Sequence, residues 1–177
     1  MNPPDWYLAE LNVARLRRPL DHPETAEFVA ALDHVNALAE SSPGFVWRLT
    51  DDSGLSSSYV RGDDDPLVII NLSVWTSPDA LHDFVFRSAH TPFLRRRREW
   101  FERMVEAFLV CWWVPAGSVP TVEESLVRLG RLRRDGVSDD AFTLRDRRPP
   151  PVASSAAWND SASSVSPTPG RARSTTP

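Results

Sequence analysis

Lysine is missing from this chain of 177 residues: all 20 basic side chains are arginine. The replacement is uniform, and it reads as the coding bias of a GC-rich genome rather than as a demand for guanidinium chemistry. A surplus of positive charge is missing as well. The 24 acidic residues leave a net charge of -4, which excludes a protein built to coat nucleic acid. Cysteine occurs once, at Cys111, so no intramolecular disulfide can form, and its setting "FLVCWWV" reads as a buried strand. Asp5 and Glu10 interrupt the first apolar stretch, and no run is long enough to span a bilayer. The expectation is a soluble, cytoplasmic protein. No phosphate-cradling glycine loop, GxSxG, HExxH or HxxxH spacing is present, so neither a dedicated metal site nor a hydrolase nucleophile is expected.

What is present suits one globular domain: 41% of residues are hydrophobic and 25% charged. From Arg147 onward Pro, Ser, Thr and Ala dominate, and Trp158 is almost the only large apolar group. Such a segment buries too little surface to offset chain entropy. Residues 1–146 therefore form the expected domain and 147–177 a disordered tail. No internal repeat is visible.

Within the domain, "WYLAELNVARL" (6–16) has strand character. A helix follows, with Pro23 near its start, Gly44 just past its end, and Phe28, Leu32, Val35 and Ala39 on one face. "FVWRL" (45–49) and "LVIINLSVW" (67–75) are strands separated by a polar loop. Ser77-Pro78 opens a second helix, interrupted near Ser88 to Pro92, where Thr91-Pro92 can restart it. "AFLVCWWVP" (107–115) is the last long strand. "TVEESLVRLGRLRRDG" (121–136) is a helix with the capping-box pair Thr121 and Glu124 and a stop at Gly136. The order β-α-β-β-α-β plus one helix predicts an α+β, ferredoxin-like subunit.

Two helices cover only one face of such a sheet, yet both faces of its strands are apolar. Val68, Ile70, Leu72 and Val74 oppose Leu67, Ile69, Asn71, Ser73 and Trp75, while Val110 and Trp112 oppose Leu109, Cys111 and Trp113. Two covers fit the second face: a second copy of the chain, giving a homodimer, or the extra helix at 121–136.

The run "LRRRREWFERM" raises the question of where each arginine points. At about 100° per residue, Phe93, Leu94, Trp100, Phe101, Met104 and Val105 share one sector. Arg95, Arg96 and Arg103 fall outside it with Glu99 and Glu102, as a solvated face laced by Arg95–Glu99 and Glu99–Arg103 pairs. Arg98 sits at the border. Arg97 falls near the middle of the apolar sector. Two readings follow: Arg97 snorkels or pairs with a carboxylate such as Glu10, or it anchors an anionic ligand in a pocket.

His90 stands at the helix interruption, as a turn residue or as a general acid–base. Asn12, Asn71 and Ser73 are polar residues within strands and need partners if buried. Trp75 shares a face with Asn71 and Ser73, and with Trp47, Trp100, Trp112 and Trp113 it builds an aromatic interior or a site for a flat apolar molecule.

The blocks "LAELNVARLRRPLDHP", "NALAESSPGFVWRL", "SVWTSPDALHDFVFRSAHTPFLRRRREWF" and "LVCWWVPAGSVPTVEESLVRL" occur in the order and texture of the family called domain of unknown function 3291. The chain resembles that family over roughly residues 6–145. The family in turn is similar to the dimeric α/β-barrel superfamily of antibiotic-biosynthesis and haem-degrading monooxygenases. The resemblance implies a ferredoxin-like subunit, a dimer through the sheet, and a pocket between sheet and helices for a small aromatic or polycyclic molecule. Haem-degrading members use an Asn on the first strand, a Trp ending the third and a His on the next helix; Asn12, Trp75 and His90 hold comparable places. The resemblance thus implies catalytic roles for those three and either haem or no cofactor, and the reading of the residues adds Arg97, Asn71 and Ser73 as ligand contacts. A monooxygenase-like enzyme and a non-catalytic small-molecule-binding or structural dimer are the two functions carried forward.

Overall fold

The computed structural model describes residues 5–50, 65–87 and 91–152, with no side-chain detail at 91–93. His90 and the polar loop of residues 51–64 lie outside the described residues. The elements run β1 (Trp6–Arg15), a 3-10 turn (Pro23–Thr25), α1 (Ala26–Glu40), β2 (Phe45–Arg48), β3 (Val68–Trp75), α2 (Pro78–Arg87), α3 (Thr91–Trp100), β4 (Leu109–Pro115) and α4 (Val122–Asp135). The strands form one antiparallel sheet in the order β2-β3-β1-β4. That order with these connections is the ferredoxin-like fold. No helix among the described residues is long and apolar enough to cross a membrane.

Local chemistry sets the boundaries. Gly44 joins α1 to β2 at φ 83, a left-handed conformation that L side chains rarely adopt. A Cβ there would also lie 2.5 Å from the Ala80 Cβ, so the turn needs glycine on two counts. At α4 the Thr121 hydroxyl accepts the Glu124 amide at 3.1 Å, while the Glu124 carboxylate turns instead to Arg128. The capping box is therefore half made. Gly136 ends the helix at φ 79.

Side-chain alternation gives the sheet two unlike faces. On one, Ala9, Leu11, Ile70, Leu72, Val74, Val110 and Trp112 are at most 1% exposed and pack with Leu129 and Leu132 of α4. The extra helix thus fills the face for which a second copy had also been considered. The apolar strands by themselves no longer call for a partner sheet, and the homodimer expectation rests on the resemblance. Trp112 Nε1 finds no acceptor among the described residues, but the Arg128 guanidinium lies over its ring, 5.4 Å from the centroid.

The other face faces α1, α2 and α3. One end is dry: Leu8, Trp75, Cys111, Leu81, Ala39 and Phe142 form a second cluster. Phe142 also bridges the outer edge of β4 through paired amide–carbonyl bonds with Cys111 (2.7 and 2.9 Å). The chain stays docked past residue 146. Arg147 pairs with Asp79, and Trp113 Nε1 donates to the Arg148 carbonyl at 3.0 Å. Composition alone placed these two arginines in the tail, because a backbone acceptor and a surface ion pair leave no mark on composition.

Candidate functional site

Toward its other end, the helix-covered face opens into a cavity of about 510 Å³. Phe28, Leu32 and Val35 of α1, Val85 of α2, Leu94 and Trp100 of α3, and Phe101, Met104 and Phe108 of the following segment supply its apolar walls. Its wall near β1 is tied down. Leu16 bridges to Phe101, the Arg17 amide donates to the Trp100 carbonyl, and Arg15 pairs with both Asp65 and Glu102.

The sheet supplies one set of the cavity's polar groups, and Asn36 of α1, Arg97 and Arg98 of α3, and Glu102 and Arg103 beyond it supply the others. From the sheet Glu10, Asn12 and Asn71 line the cavity, with Asn12 and Asn71 directly opposed across β1 and β3 and Ser73 opposite Glu10. Glu10 is only 4% exposed. Its Oε1 accepts from Asn12 Nδ2 at 2.9 Å and its Oε2 from the Ser73 hydroxyl at 3.2 Å. Ser73 is oriented in turn, since its oxygen accepts from Trp75 Nε1 at 2.9 Å. Burial pushes the Glu10 carboxyl up from 4.5 to about 7, against the opposing pull of the Asn12 and Ser73 hydrogen bonds. Near neutral pH the carboxyl is therefore poised between its two forms, as a general acid–base must be. Cys111, which pairs with Glu10 in register, is held far above the usual thiol range by burial and by Glu10, so it cannot serve as a thiolate nucleophile.

The sequence-predicted residues separate on this geometry. Asn12, Asn71 and Arg97 come together at the cavity. Ser73 lies behind it, buried, and acts on Glu10 rather than on a ligand. Trp75 does not line the cavity: its ring stacks on Phe84 with centroids 5.1 Å apart and meets Phe45 edge-on. Its expected catalytic place is thus corrected to a core position. A bulky residue on the buried face at the strand's end packs under α2, and only its N–H reaches the polar row. Glu10 was seen from sequence only as a partner for Arg97. The available signal was a carboxylate between Ala9 and Leu11, two residues from Asn12 and so on the same strand face.

The arginine run also needs correction. α3 stops at Trp100, so Met104 and Val105 are not on its stripe, and Val105 is 97% exposed. Arg97 does project between Leu94 and Trp100, and all three line the cavity, but Arg97 is exposed because that wall borders the open mouth. It makes no ion pair among the described residues, and Glu10 is bonded to Asn12 and Ser73 instead. Arg96 is the embedded member. It forks Glu27, with its Nη2 at 2.7 Å from Oε2, pairs with Glu99 and lies over Trp100 at 5.0 Å. The Glu99 pair expected from Arg95 is thus made by Arg96.

Of Asn12, Trp75 and His90, the first alone is described at the cavity, no histidine is among its described lining residues, and Trp75 is committed to the core. Among the described residues no group of three or more His, Cys, Asp or Glu could hold a metal ion.

A model of the family described as "Domain of unknown function (DUF3291)" matches residues 7–158. Among curated proteins none matches the chain. Solved structures similar to it include SnoaB, a cofactor-independent oxygenase from Streptomyces nogalater, at 17% identity and TM-score 0.40, covering 64% of this chain and 95% of that one. A protein of unknown function from Nitrosomonas europaea, NE2512, matches at 10% identity and TM-score 0.40 over 66% of this chain and 95% of its own. PA3566 from Pseudomonas aeruginosa matches at 11% identity and TM-score 0.39 over 67% and 100%.

Proposed function

The chain belongs to the DUF3291 family, and from that premise we propose that it is a small monooxygenase-like enzyme. Its cavity binds an aromatic or polycyclic molecule, and Glu10 moves a proton on that ligand. The observation that carries this reading is a nearly buried carboxyl, pushed up to about 7, among the polar groups of an otherwise apolar cavity. Cofactor-independent oxygenation of an electron-rich aromatic needs such a group. The carboxylate takes the proton from an acidic C–H, and the carbanion passes its electron pair to O2. Returning the proton to the peroxide anion closes the step, so that R–H and O2 give R–OOH. Asn12 and Ser73 hold the two oxygens of Glu10 in place for this transfer.

Anthrone, a polycycle with an acidic CH2, is a suitable probe. Wild-type protein should accelerate its O2 uptake, with a rate that rises as pH passes through about 7 and the carboxylate form accumulates. Glu10→Gln should lower that rate by about a hundredfold or more, the usual contribution of a general base. Binding of anthrone without any acceleration by the wild type would sink the enzyme reading and leave the non-catalytic binding module.

A further inference from the structure

Charge at the cavity mouth carries the argument to the class of ligand. Three arginines, Arg97, Arg98 and Arg103, line the cavity. All three are exposed, and none pairs with a carboxylate among the described residues. Several other arginines of the domain, Arg15, Arg48, Arg96, Arg128, Arg133 and Arg147, each have an acidic partner; Arg17, Arg95, Arg131 and Arg145 make no ion pair among the described residues either, but they do not line the cavity. Glu102 also lines the cavity, but its carboxylate is held by Arg15 from the neighbouring strand. The mouth therefore presents three cations and one anion, in a chain whose overall charge is -4. The remaining walls are mostly apolar, with Asn36 of α1 among them, and the exposed Asn71 and the nearly buried Glu10 lie on the sheet.

We propose that the ligand is an amphipathic anion, with an aromatic or aliphatic body in the cavity and an oxyanion group, carboxylate or phosphate, at the arginine mouth. This rests on the reading of the cavity as a ligand site and deepens it. Arginine forks match the geometry of either oxyanion, and three of them provide more donors than one head group needs. The anion at the mouth keeps the ligand from entering end-for-end, so its uncharged end is presented to Glu10. A charged end beside Glu10 would meet a carboxylate in a dry setting, which is unfavourable.

Two fluorescent probes with one aromatic body separate the terms: N-phenyl-1-naphthylamine is neutral, and 8-anilinonaphthalene-1-sulfonate adds a single anionic group. The wild type should bind the sulfonate more tightly, and salt should erode that preference while leaving the neutral probe unaffected. Arg97→Ala/Arg98→Ala/Arg103→Ala should weaken the sulfonate by about tenfold and leave the neutral probe within about twofold, three exposed charge contacts being worth about that much. Arg95→Ala, exposed and away from the cavity, should change neither. If the triple variant does not fold, the salt dependence of the wild type and Arg97→Gln alone answer the same question. Leu32→Trp, which fills the cavity, should remove both probes; sulfonate binding that survives it lies elsewhere on the surface and overturns the proposal. Equal affinity for the two probes, or a preference indifferent to the arginines, overturns the anion assignment while the cavity reading stands. Binding of neither probe overturns both. Competition by dodecanoate and by dodecyl phosphate then identifies the head group, and failure of both to displace the sulfonate also counts against the proposal.

Discussion

The two faces of this sheet are made from the same four strands, yet they have opposite characters. Toward α4 the buried residues of β1, β3 and β4 are aliphatic or aromatic, from Leu11 to Leu72 to Trp112, and the surface is closed. Toward α1, α2 and α3 the same strands present Glu10, Asn12, Asn71 and Ser73, and a cavity remains. One face contributes cohesion and the other gives part of it up. A polar row on a strand face is costly in a filled core, because each group must be hydrogen-bonded or desolvated at a loss. Here the row is linked, Trp75 to Ser73 to Glu10 to Asn12, and it borders open space. That combination separates a site from a packing defect.

The sharpest way to break the contrast is to remove the same side chain from each side. Leu129 of α4 is 1% exposed in the closed layer, so Leu129→Ala should cost about 2–5 kcal/mol. Leu32 is only part-buried and already borders empty space. Leu32→Ala enlarges an existing cavity and should cost less than about 1.5 kcal/mol. Urea denaturation of both variants measures the difference; equal losses would mean that the cavity is closed in solution.

The next largest effect is a pH dependence that belongs to the polar face. The Glu10 carboxyl titrates near 4.5 when unfolded and is pushed up to about 7 in the folded chain. Between those values the folded state binds more protons than the unfolded state, so stability falls as pH rises through the window and levels off above it. The shift from 4.5 to about 7 corresponds to about 3 kcal/mol. Wild-type protein should lose stability of that order between pH 5 and pH 8 relative to Glu10→Gln, in which the component is absent. The glutamine variant is thus expected to be the more stable protein at pH 8 and the less active one. Parallel stability curves for the two proteins would show that Glu10 is ionised at an ordinary pKa.

How far the sequence reveals these features depends on what each pattern encodes. Strand and helix positions follow from alternation and from punctuation such as Gly44, Pro78 and Thr121, and the ferredoxin-like order was legible from them. The two-sided apolar strands state that both faces are covered but not by what, because α4 and a second sheet offer the same kind of surface. Periodicity set Arg97 with Leu94 and Trp100, and all three line the cavity, but so do Arg98 and Arg103, which it set at the border and on the solvated face. It could not say whether the apolar sector leads into packed side chains or into an opening. Glu10 was hidden for a related reason: a lone carboxylate in a strand looks like a solvated residue until its neighbours across β3 are known.

The smallest effect expected concerns the arginine helix, where the sequence reading and the structure rank two neighbours in opposite order. Arg97, in the apolar sector, is the residue that the sequence marks for a carboxylate partner or an anionic ligand. The structure gives the carboxylate partners to Arg96, which clamps α3 to α1 through Glu27, braces Glu99 within its own helix and covers the buried Trp100 ring. These contacts are largely solvent-exposed, so salt screening limits what they contribute. Arg96→Ala should lower the melting temperature modestly, in part through lost packing over the indole rather than lost charge. Arg97→Ala, which breaks no ion pair among the described residues, should leave the melting temperature unchanged. The two variants measured together at low and at high salt separate the contributions: a deficit of Arg96→Ala that persists at high salt belongs to the Trp100 contact. If Arg97→Ala proved the more destabilised of the two, the helix would be rotated from the position described, and the cationic mouth of the cavity would have to be reassigned with it.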